Sequence, residues 1–184
     1  ELLTYRYLNA KFDFATSLDG LVDVIKNKDE EFIVNALRLI EPNIKDFVLS
    51  KNEVLVDIGL DKRIPINMMG DGARKILSIL TSIYECKNGI VLIDELSNGF
   101  HYSVMKGVWT SIVSVAKKNN VQIFATTHDL DSIKGLRDAA MSCEEYNNSI
   151  VCFKLHRTDN SELKSYQYSL DSVDYSLNQE IEIR

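Results

Sequence analysis

The chain has 184 residues, 45% hydrophobic and 26% charged, the composition of one globular domain or a little more. Its formal net charge of −6 argues against broad nonspecific nucleic-acid binding, though not against a local basic patch. Its apolar runs are far too short for a membrane span, its first residues do not read as a secretion signal, and Cys86, Cys143 and Cys152 are scattered. A zinc site or disulfide framework is not expected, and a reducing cytoplasm is.

The first 50 residues read as mostly helical. Ser17 or Asp19 starts one helix through Leu21, Val22, Val24 and Ile25. A second runs from about Asp29 to Ile40, where Phe32, Ile33, Ala36, Leu37 and Ile40 form one stripe at helical spacing. Glu41-Pro42 ends it, because the residue before proline is pushed out of helical geometry. This stripe reads as core packing. Residues 53–60 read as a strand, and Asp61-Lys62-Arg63 turns the chain toward a short strand at Ile64–Ile66.

Asn67-Met68-Met69-Gly70-Asp71-Gly72-Ala73-Arg74 follows, and then Ile76, Leu77, Leu80, Ile83 and Tyr84 at helical spacing. A loop with two glycines thus opens onto a helix. Free backbone N–H groups and the helix dipole favour an anion there. The competing reading is Asp71 as a plain N-cap.

Ile90-Val91-Leu92-Ile93, bounded by Asn88-Gly89, has the pattern of a short strand buried on both faces of a parallel sheet. Asp94 and Glu95 follow at once. Charges at the mouth of such a strand are costly unless paired. A divalent cation with a phosphate is one such partner; capping of the next helix is the other reading. Residues 102–118 read as a helix with Val104, Val108, Ile112 and Val115 on one face, ending in Lys117-Lys118-Asn119-Asn120. Residues 121–126 read as another buried strand, with Thr126-Thr127-His128-Asp129 at its end. Strand, helix and strand over 90–126 make a βαβ unit, hence a parallel sheet. Ligands in such sheets sit at the carboxyl ends of the strands, where Asp94, Glu95 and His128 would all emerge. Short helices are expected over 130–147 and strands at Ser149–Leu155 and Tyr166–Tyr168. A helix near Leu170–Leu177 and an extended end at Ile181–Ile183 complete the chain.

The order Met69-to-Arg74, Ile90-to-His101, Phe124-to-Asp129 resembles the C-terminal half of an ABC-like P-loop ATPase of the OLD, AAA-15 and AAA-21 type. Pro65 before the glycine loop also suits that family. The resemblance covers most of residues 50–184 and, more loosely, 10–50. It implies an α/β fold with a mostly parallel sheet flanked by helices. Residues 1–50 would form a helical, signature-side segment and 51–184 the C-terminal part of the ATPase core. Gly70, Asp71 and Gly72 match the signature loop that reaches the γ-phosphate held by the other subunit, with Arg74 adding positive charge. Asp94 matches the Walker B aspartate, which holds Mg²⁺ through water. Glu95 matches the catalytic glutamate. Asn98 to His101 fall at the D-loop, and His128 matches the switch histidine. ATP, Mg²⁺ and a homodimer are the implied cofactors and partner, with DNA or an effector protein possible and no membrane.

Three departures stand out. Ser97 replaces an acidic residue, leaving Glu95 as the sole candidate base. Asp129 follows His128 where serine is usual, a charge unfavourable near phosphate unless it points away. No Gly-x-x-x-x-Gly-Lys-Ser/Thr occurs, and none of the eight glycines precedes a lysine. The core is thus expected to be partial, lacking the Walker A strand, and alone inactive. That strand would lie beside residues 121–126, with residues 149–155 on its far side, so the sheet needs a gap or a substitute there. The functional expectation is an ATP-driven switch in phage defence or DNA metabolism. A nonenzymatic interaction module and the ATPase part of a DNA-processing nuclease system are the alternatives.

Overall fold

The computed structural model describes residues 3–10, 18–51, 53–143, 149–158 and 161–179. In chain order these form β1 (Tyr5–Leu8), α1 (Leu18–Lys26), α2 (Glu31–Leu37), β2 (Asp46–Ser50), β3 (Glu53–Asp57) and β4 (Ile64–Pro65). Then come α3 (Asp71–Glu85), β5 (Ile90–Ile93), α4 (Met105–Lys118), β6 (Gln122–Ala125), α5 (Leu130–Met141), β7 (Cys152–Arg157), β8 (Leu163–Tyr168) and α6 (Leu170–Asn178). Short 3₁₀ turns at Ile66–Met69 and Tyr102–Val104 lead into α3 and α4. The extended end expected at 181–183 lies outside the described residues.

The central sheet is parallel, in the order β1-β5-β6, so the β5-α4-β6 crossover is as expected. Among the described residues of 1–50, strands β1 and β2 stand beside helices α1 and α2. β1 pairs with β5 from Tyr5↔Ile90 to Leu8↔Ile93, and β2 forms an antiparallel sheet with β3 and β4. A four-residue strand with two polar-tipped tyrosines and an arginine offers no alternation long enough to see.

Helix α3 forms the centre of the core. Residues Lys75 to Ile83 are all buried on it, and it packs against α1, α2, α4 and β5. Val91 and Ile93 of β5 are buried, whereas Ile90 and Leu92 are only half-buried, so this strand has one closed face. Nor is β6 a buried strand. It is a sheet edge, with Phe124 51% exposed. Beyond that edge lies a cleft of about 910 Å³, with β7 and the β7–β8 hairpin on its far side. Trp109 and Ile112 of α4, Ile123 and Phe124 of β6, and Phe153 and Leu155 of β7 line it. The hairpin does not join the central sheet.

Candidate active site

The site forms where β5 and β6 end side by side. Register pairs Ile93 with Ala125, so the residues leaving each strand emerge together. The Asp94 N–H donates to Leu8 O at 2.8 Å, extending the β1 ladder by one step. The Thr126 hydroxyl donates to Asp94 Oδ1 at 2.7 Å and accepts the Glu95 N–H at 3.0 Å. Leu96 N–H donates to Thr126 O at 3.0 Å. One threonine just past β6 therefore holds the Asp94 carboxylate and the Glu95 backbone just past β5.

Glu95 turns the chain sharply, with φ +49°. Its Oε2 is buried with no hydrogen-bond partner among the described residues, and lies at an ion-pair distance of 2.7 Å from His128 Nδ1. His128 itself is well exposed. Asp94, Glu95 and His128 thus converge on one edge of the sheet, as the topology requires. An orphaned carboxylate oxygen beside an imidazole suits a donor, such as a water, as the missing partner. Among the described residues no group of three His, Cys, Asp or Glu could hold a metal alone. Asp94 presents one carboxylate at this edge, the kind of ligand Mg²⁺ takes alongside phosphate and water. Asp129 turns away from this edge. Its carboxylate accepts from Asp131 N–H at 3.0 Å and caps α5. Ser97 is buried and bonds through its hydroxyl to Thr127 Oγ1 at 3.1 Å.

The glycine loop sits elsewhere. Gly70, at φ +84°, precedes α3 as its cap, and Asp71 is the first helical residue rather than the cap. Asp71 pairs with Arg74 one turn later. A Cβ on Gly70 would meet nothing within 4 Å, so its backbone angle selects glycine and its face is open. A Cβ on Gly72 would lie 2.9 Å from Gly99 O, so close packing against the Asn98–His101 turn selects glycine there.

Two residues of the site escape sequence reasoning. Thr126 appears only as part of a motif, with no charge to mark it. Lys75 is the other. It is 5% exposed, and its Nζ donates to Glu95 O at 2.7 Å and Asn98 O at 3.0 Å. Burial pushes its pKa down to about 8, against the opposing pull of the Glu95 and Asp94 charges. Nothing in the sequence marks it, since a lysine beside Arg74 at a helix start reads as solvated.

The AAA ATPase domain family matches residues 7–132 of the chain. An ATP/GTP phosphatase of Helicobacter pylori is 26% identical over 159 residues, covering 84% of this chain and 43% of the relative. The chain thus spans less than half the length of that protein. The uncharacterized protein MJECL11 of Methanocaldococcus jannaschii is 35% identical over 107 residues, covering 57% of this chain and 89% of the relative. Two solved structures share the fold at 13% identity and a TM-score of 0.55. One comes from work on ATP-driven dimerization and DNA-stimulated activation of SMC ATPases, with 90% of this chain and 99% of that chain covered. The other is an SmcHead bound to the C-winged helix domain of ScpA, with 79% and 44% covered.

Proposed function

The chain belongs to the AAA ATPase domain family, and on that premise we propose that it supplies the acid pair, switch histidine and signature loop of a dimeric ATP-hydrolysing switch. The observation that carries this reading is the convergence of Asp94, Glu95 and His128 at one sheet edge, with a Glu95 oxygen buried and unbonded.

Each residue then has a task set by its geometry. Asp94, held by Thr126, would hold hydrated Mg²⁺, which when bound would neutralise charge on the phosphate oxygens. Glu95 takes a hydrogen bond from the attacking water and orients it toward the terminal phosphate. His128 donates to that phosphate and shifts its contact with Glu95 when nucleotide is present. There is little covalent work for the protein in such a transfer, so positioning and electrostatics carry the rate. The open face at Gly70, the N–H groups opening α3, and Arg74 would meet the nucleotide of a second copy.

The phosphate-cradling loop is absent from these 184 residues. We assign a strand carrying it to the cleft between β6 and β7, because β6 ends the described central sheet on that side. Nucleotide-dependent pairing of two copies, and a role in DNA metabolism or phage defence through an effector, are the further parts of this proposal and rest on family analogy. The SMC ATPase likeness in fold is compatible with that.

The test is Glu95→Gln in the protein that carries this chain together with its phosphate-binding loop. ATP-Mg binding should persist while turnover falls about 100-fold or more, the scale of losing one general base. Unchanged turnover would overturn the assignment.

A further inference from the structure

We propose that Lys75 is a positioning residue for hydrolysis: from inside α3 it fixes the Glu95 peptide in the left-handed conformation that places the carboxylate beside His128. This rests on the reading of Glu95 given above.

A charge buried in a helix core is expensive, and a methionine would fill the same space without that cost. Lys75 is therefore explained by what its ammonium touches. Neither partner is a carboxylate. Both are main-chain carbonyls of one turn, Glu95 O and Asn98 O, and the Phe100 ring lies 5.8 Å from the same nitrogen. Glu95 is a branchless but bulky residue at φ +49°, a strained conformation that persists only where the surroundings over-determine it. Three bonds do so here. The Glu95 N–H is taken by Thr126, and its carbonyl accepts both the Asn98 N–H at 3.1 Å and the Lys75 ammonium. The Asn98 bond is internal to the turn. Lys75 reaches it from another element, the helix that begins at the Gly70–Gly72 loop. Gly72 in turn packs on Gly99, the next residue of the same turn. The angle at which Glu95 leaves β5 is thus tied to the placement of α3. A small misplacement of a reacting group suffices to cost about 100-fold in rate.

The experiment compares Lys75→Met and Lys75→Arg with the parent in the whole protein. It reads amide hydrogen exchange, ATP-Mg affinity and turnover. K75M should speed exchange at the Glu95 and Asn98 amides about tenfold while interior amides of α3 and β5 keep their protection, because only the local opening is affected. Turnover should fall about 100-fold with ATP affinity within about threefold, since positioning rather than binding is lost. K75R, which keeps donors at that site, should recover both the protection and most of the turnover. If K75M does not fold, Lys75→Gln takes its place with the same readouts. Unchanged exchange at Glu95 and Asn98, protection lost evenly across α3 and β5, or full turnover despite a loosened turn would each overturn the proposal. Glu95→Gln separates this from the functional reading. If that variant keeps parent turnover, the role of Glu95 fails, while the exchange result still decides whether Lys75 holds the turn.

Discussion

Thr126 does at residue scale what neither acid does alone. Its single hydroxyl accepts from the Glu95 N–H and donates to the Asp94 carboxylate, so one group just past β6 holds the Asp94 side chain and the Glu95 backbone together. Thr126→Val keeps the shape and removes that link. The site is solvent-facing, and water can replace part of what is lost, so the stability cost should be about 1 kcal/mol. Turnover should fall more steeply than stability, by about tenfold or beyond, because the lost bonds orient rather than bind. Urea midpoints and single-turnover rates measure the two effects separately. A pH effect belongs to Lys75. Below about 8 the folded and unfolded chains both hold its proton, and the folded state bears the cost of burying the charge. Between about 8 and the ordinary 10.5 the folded chain has released a proton that the unfolded chain still binds, so this residue makes stability rise with pH across that window. The urea midpoint of the parent should therefore climb more between pH 7.5 and 9.5 than that of K75M. Equal climbs would show that Lys75 is not the source. Asp94, Glu95 and His128 were legible in the sequence because charge at the end of an apolar run is conspicuous. Lys75 was not, since a lysine beside Arg74 at a helix start looks solvated until the fold turns it inward.

Elements differ in how openly they announce themselves. Helix α3 and strands β5 and β6 fall close to where periodicity puts them, because each combines a clean apolar pattern with a glycine or asparagine boundary. β1 is invisible by the same measure. Tyr5 and Tyr7 stay more than half exposed, and only Leu8 is buried, so its identity as a strand comes from pairing with β5 rather than from its own residues. The two glycines of the α3 loop were legible as a pair but not in their separate causes. Gly72→Ala improves helix propensity, yet its methyl would press on the Gly99 carbonyl at 2.9 Å, main chain that cannot rotate away. The variant should lose about 1–3 kcal/mol, the range for overpacking a tight contact. Gly70→Ala meets open space and suffers only its backbone angle, φ +84°, for about 1 kcal/mol. Thermal unfolding of the two variants should rank them in that order. The reverse order would mean the contact with Gly99 relaxes freely.

At the scale of the whole molecule the telling feature is an unfinished sheet. Among the described residues three parallel strands end at β6, whose outer edge faces a cleft of about 910 Å³ rather than a fourth strand. The walls are apolar and exposed: Phe124 at 51%, Phe153 at 61% and Leu155 at 64%. Sequence alone made β6 a buried strand, because Val121-Gln122-Ile123-Phe124-Ala125 has the residues of one, and burial depends on what occupies the far side. An exposed, aromatic strand edge is a template for pairing with another chain, and natural sheets seldom leave one bare. Residues 1–184 on their own should therefore associate through this edge as concentration rises, followed by light scattering after gel filtration. Phe124→Lys puts a charge on the edge and should suppress that association while leaving the fold intact by circular dichroism. Supplying a chain that carries the phosphate-binding strand should suppress it as well and slow amide exchange along Gln122–Ala125, since the same groups then have partners. Association unaffected by Phe124→Lys would place the sticky surface elsewhere and leave the cleft without a strand to receive.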